Sequence, residues 1–391
     1  MDSPTQKRRR QDVKVLMVEH FFPESSYTLE LGKELGKYTD LTVFCRQSSV
    51  PETPGIHWVN RFYSGGKGKA AGLLLYLKGL LALRSELRRG YDVVHVQSFK
   101  EARWEIPLYL KNRNSFGFLV HTVHNLLPHE ASASDRQLYT RFYQQCDLLL
   151  VHNEWCRQEL CRSFSLPDSK ILVLPHGAYN LVGKAPEKRE EDGKTHFLQF
   201  GLIRRYKGLD ILLQALALVP PEERERLRVT VAGHQFTRLD GTDYQALARQ
   251  LGVEKCVEFR LGYIRDDELP GLFGQADLCL FPYREIYGSG ALLMAYTYGR
   301  PVIASDIPVF REETEDGKTG LLFASEDAPD LARKLRQAMS WTEAERAERQ
   351  RCIEELVRNK YSWARSARGL FDAYRALTEG RGRAAESGVK A

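Results

Sequence analysis

No stretch of this chain approaches the roughly 20 uninterrupted apolar residues that a spanning helix requires; the nearest, Ala71 to Leu83, is cut by Lys78. The opening MDSPTQKRRRQD has no apolar core of the secretory kind, so residues 1–12 are expected to be a disordered basic lead-in. No CxxC pair is present, and seven cysteines spread from Cys45 to Cys352 argue against a disulfide framework. Reduced thiols in the cytoplasm are the simplest expectation. Basic residues are not interleaved with aromatics as in an RNA-binding surface, and a net charge of +6 over 391 residues is modest. Nucleic acid is therefore a poor partner, and small anions or an anionic lipid surface are better ones. What remains, 43% hydrophobic and 28% charged residues, is a soluble globular composition in a chain too long for one core.

Short runs of Val, Ile, Leu and Phe alternate with longer amphipathic stretches, the pattern of parallel βαβ units. Strands are expected at Val13–Val18, Leu41–Cys45, Val93–Val96, Phe118–Thr122, Leu148–Val151 and Ile171–Leu174 in the first half. In the second half they fall at Thr195–Phe200, Arg228–Ala232, Val257–Arg260, Leu278–Phe281 and Val302–Ala304. Between the halves, GAYNLVGKAPEKREEDGK replaces periodicity with Gly, Pro and a charge run. The expected plan is a domain over 13–180, a linker over 181–194, a second domain over 195–360, and a terminal helix and tail over 361–391. Two doubly wound α/β sheets, each binding ligand beyond its strands' carboxyl ends, would make a cleft if they faced each other.

The residues after those strands carry the chemistry. VHNLLPHE places His124 and Asn125, then His129 and Glu130, after Phe118–Thr122. His124 is a base or hydrogen-bond partner near neutral pH, or else a structural histidine capping the next helix. A metal site from His121, His124 and His129 is set aside, because His121 lies inside the strand and no thiolate or paired carboxylate completes it. GLIRRYKG follows Thr195–Phe200: Gly201 relieves the turn, and Arg204, Arg205 and Lys207 concentrate positive charge suited to a diphosphate. Tyr263 and Ile264, after Val257–Arg260, are candidates for the floor of a base pocket. In PYREIYGSGALLMAYTYG, Gly288 and Gly290 let backbone approach a ligand, and a helix from about Ala291 aims its N-terminus there, with Ser289 and Gly290 as amide donors.

Together these stretches resemble the retaining glycosyltransferases of the GT-B fold, group 1 or family 4, most strongly over residues 196–310. The resemblance implies two Rossmann-like domains facing a central cleft, a first that takes the acceptor and a second that binds a nucleoside diphosphate sugar. It implies that Lys207 and Arg204 bind the donor's diphosphate, that His124 contacts the donor sugar, and that Gly201, Ser289, Gly290 and Ala291 line the donor site. The family's glutamate pair is broken here. Met294 stands at the second position, and Glu285 is one residue out of register for the first, where Ile286 aligns. The glycine-rich turn after the first strand is also replaced, by a stretch with Ser25, Ser26 and Tyr27, which the resemblance puts on the acceptor side. Without a DxD-type carboxylate cluster, metal-independent sugar transfer is expected, with a glycan or lipid-linked hydroxyl as acceptor. Residues 67–90, six of them basic among many leucines, read either as a helix peripheral to an anionic membrane on its cytoplasmic face or as a helix packed on a sheet. Rival readings are a non-catalytic partner of the same fold and a nucleotide-sugar epimerase.

Overall fold

Val93–Val96, Leu148–Val151 and Leu278–Phe281 are buried at every position, as strands are when helices cover both faces of a parallel sheet. The computed structural model describes residues 13–21, 26–46, 52–62, 69–128, 131–179, 192–237 and 239–387, and its paired strands are all parallel. The lead-in 1–12 and linker residues 181–191 lie outside the described residues. Residues up to Gly177 together with those from Tyr361 onward form one unit, and Ala178–Lys360 form another.

The first unit holds β1 (Lys14–Val18), β2 (Asp40–Arg46), β3 (Ile56–Phe62), β4 (Val93–Val96), β5 (Phe118–Thr122), β6 (Leu148–Val151) and β7 (Ile171–Val173), ordered β3-β2-β1-β4-β5-β6-β7. The helix Trp363–Ser387 belongs to this unit. Its Trp363, Leu370, Phe371 and Tyr374 enter the core formed with Tyr27, Leu31 and Leu35, and the Tyr374 hydroxyl lies 2.5 Å from His95 Nδ1.

The second unit holds β8 (Thr195–Phe200), β9 (Leu227–Gly233), β10 (Val257–Leu261), β11 (Leu278–Phe281), β12 (Val302–Ser305) and β13 (Gly320–Phe323), ordered β10-β9-β8-β11-β12-β13. In both sheets the strand order reverses beside the first strand, between β1 and β4 and between β8 and β11. The crevice beyond the carboxyl ends at such a reversal is where open α/β sheets bind ligands.

Two strands, β3 and β13, were absent from the sequence reading; both are edge strands. β3 is only partly buried along most of its length, so IHWVNRF shows no clean apolar run. β13 opens on a glycine and spans four residues.

Candidate active site

In the second unit the chain leaves β8 through Gly201, whose φ of +115° favours glycine, and makes a 3-10 turn over Arg205–Lys207 before the helix Leu209–Leu218. The Lys207 ammonium lies 5.0 Å from the centroid of the Tyr283 ring. A Cβ on Gly201 would stand 3.0 Å from Lys207 Nζ, so a side chain there would press on the ammonium. Burial lowers the Lys207 pKa to about 8, and neighbouring Arg204 adds to the shift. A buried charge is ordinarily paired. Among the described residues no carboxylate pairs with Lys207 or with Arg204, whose guanidinium stands 5.9 Å from the Tyr206 ring centroid.

Arg284, which the sequence reading passed over, holds this turn in place. From the loop after β11 it donates to both carboxylate oxygens of Asp210, at 3.0 and 2.7 Å, to the Arg205 carbonyl at 2.7 Å, and to Glu326 at 2.8 Å. Its backbone N–H donates to the Tyr206 carbonyl at 2.7 Å. The loops after β8 and β11, the two strands flanking the order reversal, are thereby tied together. Glu285, beside it, is exposed, and its charge helps raise the Tyr206 pKa, which burial raises most.

The Gly-Ser-Gly turn divides its donors. Ser289 caps the helix Gly290–Thr297, its hydroxyl accepting from the Leu292 N–H at 3.1 Å. Ser289 is buried, and its amide helps hold down the pKa of the buried Glu313 carboxyl. The Gly290 and Ala291 N–H groups have no protein acceptor among the described residues. The Ala291 Cβ would lie 3.8 Å from a Cβ on Gly201, so this helix N-terminus and the Lys207 ammonium converge on the same bare glycine. Tyr179, within the stretch read from sequence as the break between the halves, places its hydroxyl 2.6 Å from where a Gly290 Cβ would stand. Tyr263 is 80% exposed and Ile264 half-buried; both follow the edge strand β10, separated from β8 by β9.

Burial raises the Glu313 pKa to about 8, against the pull of Lys360 and the Ser289 amide. The folded carboxyl keeps its proton to about pH 8, whereas the unfolded one loses it near the ordinary 4.5. Between these values the unfolded chain binds fewer protons, so this group makes stability fall as pH rises. Glu313→Gln is expected to flatten that slope in denaturant melts recorded across the window.

In the first unit His124 stands past β5 in a group of aromatic rings. Tyr27 meets it edge-on at 4.8 Å between centroids, and His152, just after β6, lies at 5.2 Å. His152 Nδ1 lies 3.0 Å from the Leu174 carbonyl, which only accepts, so Nδ1 carries the proton. Burial lowers the His152 pKa to about 4 and drives that of His124 well below the usual imidazole value. Both rings are thus neutral, and His152 Nε2 is an acceptor. His124 Nδ1, 3.4 Å away, must donate to it, leaving His124 Nε2 as a lone-pair acceptor. No short-range pattern points to this pairing of His124 with His152. Tyr27, expected on the acceptor side, is buried and forms the packing wall behind His124. Ser26 precedes the helix Tyr27–Leu35 without a side-chain cap bond; Ser25, His129 and Glu130 lie outside the described residues. A cavity of about 430 Å³ opens beside His124 at the ends of β1, β4 and β5.

Comparison with known proteins covers both units. Residues 184–355 match the family Glycosyl transferases group 1, and residues 25–178 match Glycosyltransferase Family 4. A D-inositol 3-phosphate glycosyltransferase from an Arthrobacter species is 31% identical over 319 residues, 74% of this chain and 71% of that protein. Among solved structures, sucrose-phosphate synthase from Thermosynechococcus elongatus aligns over 94% of this chain and 100% of its own at 17% identity, with a TM-score of 0.75. HepE from Anabaena, in complex with UDP-glucose, aligns over 93% of this chain and 99% of its own at 16% identity, with a TM-score of 0.70. The two matched segments, the 31% identical relative and the paired sheets place this chain in the group 1 glycosyltransferases of the GT-B fold, and it is a glycosyltransferase.

Proposed function

We propose that this enzyme moves a sugar from a nucleoside diphosphate sugar to a hydroxyl of a glycan or lipid-linked acceptor, with retention at the anomeric carbon, in polysaccharide or glycolipid assembly. The observation that carries the donor half is the half-buried, unpaired Lys207 ammonium set against the open N-terminus of the helix Gly290–Thr297. An ammonium, a guanidinium and two outward amides form a sink for the charge that develops on a departing diphosphate. Lys207 and Arg204 stabilise that leaving group, and the leaving phosphate oxygen accepts the acceptor's proton. The HepE neighbour is described with UDP-glucose, which supports a nucleotide sugar as donor. Because the charge sink is built from side chains and amides, EDTA is expected to leave turnover unchanged.

His124 presents its Nε2 lone pair to a donor-sugar hydroxyl, and His152 keeps that lone pair available. His152→Phe retains a ring but removes the acceptor. It is expected to mix the His124 tautomers in nitrogen–proton correlation spectra and to lower kcat/KM by about tenfold. An unchanged tautomer with normal turnover would mean that His152 does not orient His124.

The helix Lys69–Glu86 supports a location at a lipid surface. Among the described residues no helix is long and apolar enough to cross a membrane. This one nevertheless exposes Leu73, Leu74, Leu77 and Leu81, the last at 64%, beside exposed Lys78 and Arg84, with no acidic residue before Glu86. Leucines among cations suit the interface of an anionic bilayer. Co-sedimentation with vesicles containing phosphatidylglycerol is expected and should be lost in the double variant Leu77→Glu, Leu81→Glu; binding indifferent to anionic lipid would contradict this.

The decisive experiment for the activity is a panel of nucleoside diphosphate sugars read by thermal shift and by release of nucleoside diphosphate. One donor should both stabilise and turn over. Stabilisation without any turnover would favour the non-catalytic reading that Met294 invites.

A further inference from the structure

We propose that the first unit's cavity receives an uncharged, hydroxyl-rich ring of the acceptor, a sugar or cyclitol without phosphate, and discriminates against the phosphorylated form. The inference rests on the transferase reading above and names the acceptor chemistry that it leaves open.

The cavity lies where the strand order of the first sheet reverses, and its volume of about 430 Å³ is in the range of small-molecule pockets. Its lining contains no lysine or arginine among the described residues; the one charged side chain is Glu19. Three donors fix that carboxylate: the Phe21 N–H at 2.7 Å and the Ser98 hydroxyl at 2.5 Å on one oxygen, and the Thr28 hydroxyl at 2.9 Å on the other. The second oxygen retains a lone pair for a ligand hydroxyl. The histidines of the lining do not compensate the charge, because burial keeps His121 and His124 neutral. His121 spends its Nδ1 proton on the Val96 carbonyl at 2.8 Å. Glu19 therefore asks for O–H donors, which a polyol supplies at every carbon. A phosphate dianion brings acceptors and like charge, and no cation in the lining receives it. Phe21, 48% exposed, and Phe99 add apolar faces against which the C–H face of a ring can lie. This departs from the phosphorylated cyclitol in the Arthrobacter relative's name.

The test is calorimetric titration of the full-length protein, in the presence of UDP, with matched pairs: myo-inositol and its 3-phosphate, and methyl glucoside and methyl mannoside with their 6-phosphates. At least one uncharged ring is expected to bind at least about tenfold tighter than its phosphate ester. Glu19→Gln should narrow that ratio to within about threefold, since it keeps the shape and removes the charge. Phe21→Ala, at a side chain 48% exposed, should weaken the uncharged ring about fivefold while leaving UDP binding intact. Tighter binding of the phosphorylated member, a ratio unmoved by Glu19→Gln, or no binding by any ring would overturn the proposal. UDP binding, measured in the same titrations, separates this outcome from failure of the donor assignment.

Discussion

Lys207→Ala is expected to lower kcat/KM with the true donor by about 10²–10³-fold and to abolish the thermal shift that nucleoside diphosphate produces. The expectation follows from how the ammonium is held. It sits over Gly201 and against the Tyr283 ring without a carboxylate partner, at the cost recorded in a pKa lowered to about 8. An anion that reaches it recovers a charge-assisted hydrogen bond worth about 1.5–3 kcal/mol. The variant should fold about as well as the wild type, since removing a half-buried, unpaired charge relieves desolvation. That combination, a protein about as stable in the absence of ligand and deaf to its donor, separates a binding role from a structural one. Lys207→Arg should retain part of the affinity, because Arg keeps the charge but not the compact ammonium that fits over Gly201. Equal kcat/KM in wild type and Lys207→Ala would remove the lysine from the site.

Gly208→Ala should cost about 2–5 kcal/mol of stability. Gly208 has φ +64°, and a Cβ there would overlap the Pro282 carbonyl oxygen, which is backbone and cannot rotate away. The close approach is what brings the turn after β8 against the loop after β11, the same pair of loops that Arg284 ties. Unfolding of the second unit is expected to move down by roughly 5–20 °C. Gly252→Ala is the matched control: φ is +65° there, but nothing lies within 4 Å of the added Cβ. Strain alone should cost about 1–2 kcal/mol at that site. Similar losses in the two variants would mean that the approach of Gly208 to Pro282 contributes nothing.

Much of this site was legible because it is local in sequence. Gly201, Lys207 and Gly208 fall within one turn, and the apolar strand and helix on either side identify it as a strand-to-helix connection. The same holds for the helix that begins at Gly290, where Ser289 supplies an N-cap within three residues of its partner amide. What escaped was set by partners far along the chain. Arg284 reads as an ordinary loop cation until Asp210, 74 residues away, comes to its guanidinium. His152 became part of the His124 arrangement only when β5 and β6 paired side by side. The Glu313 carboxyl, whose pKa the Ser289 amide influences, is another group that no short-range pattern places near that amide. The missed strands have a different cause. Edge position leaves β3 half-exposed, and four residues opening on Gly320 leave β13 too short to show a period.

Lys207 in its charged form is expected to bind a diphosphate within the second unit. Titration of UDP, and of the base and sugar variants that the donor panel selects, should be repeated from pH 7 to pH 10 with wild type and Lys207→Arg. Because the free ammonium loses its proton near pH 8, wild-type affinity should hold below that value. It should then fall toward roughly tenfold per pH unit as binding takes up one proton. The arginine variant should show no such fall, since its guanidinium stays charged throughout. A wild-type affinity that is flat across pH 8, or a fall that persists unchanged in Lys207→Arg, would contradict the assignment of the diphosphate to this lysine.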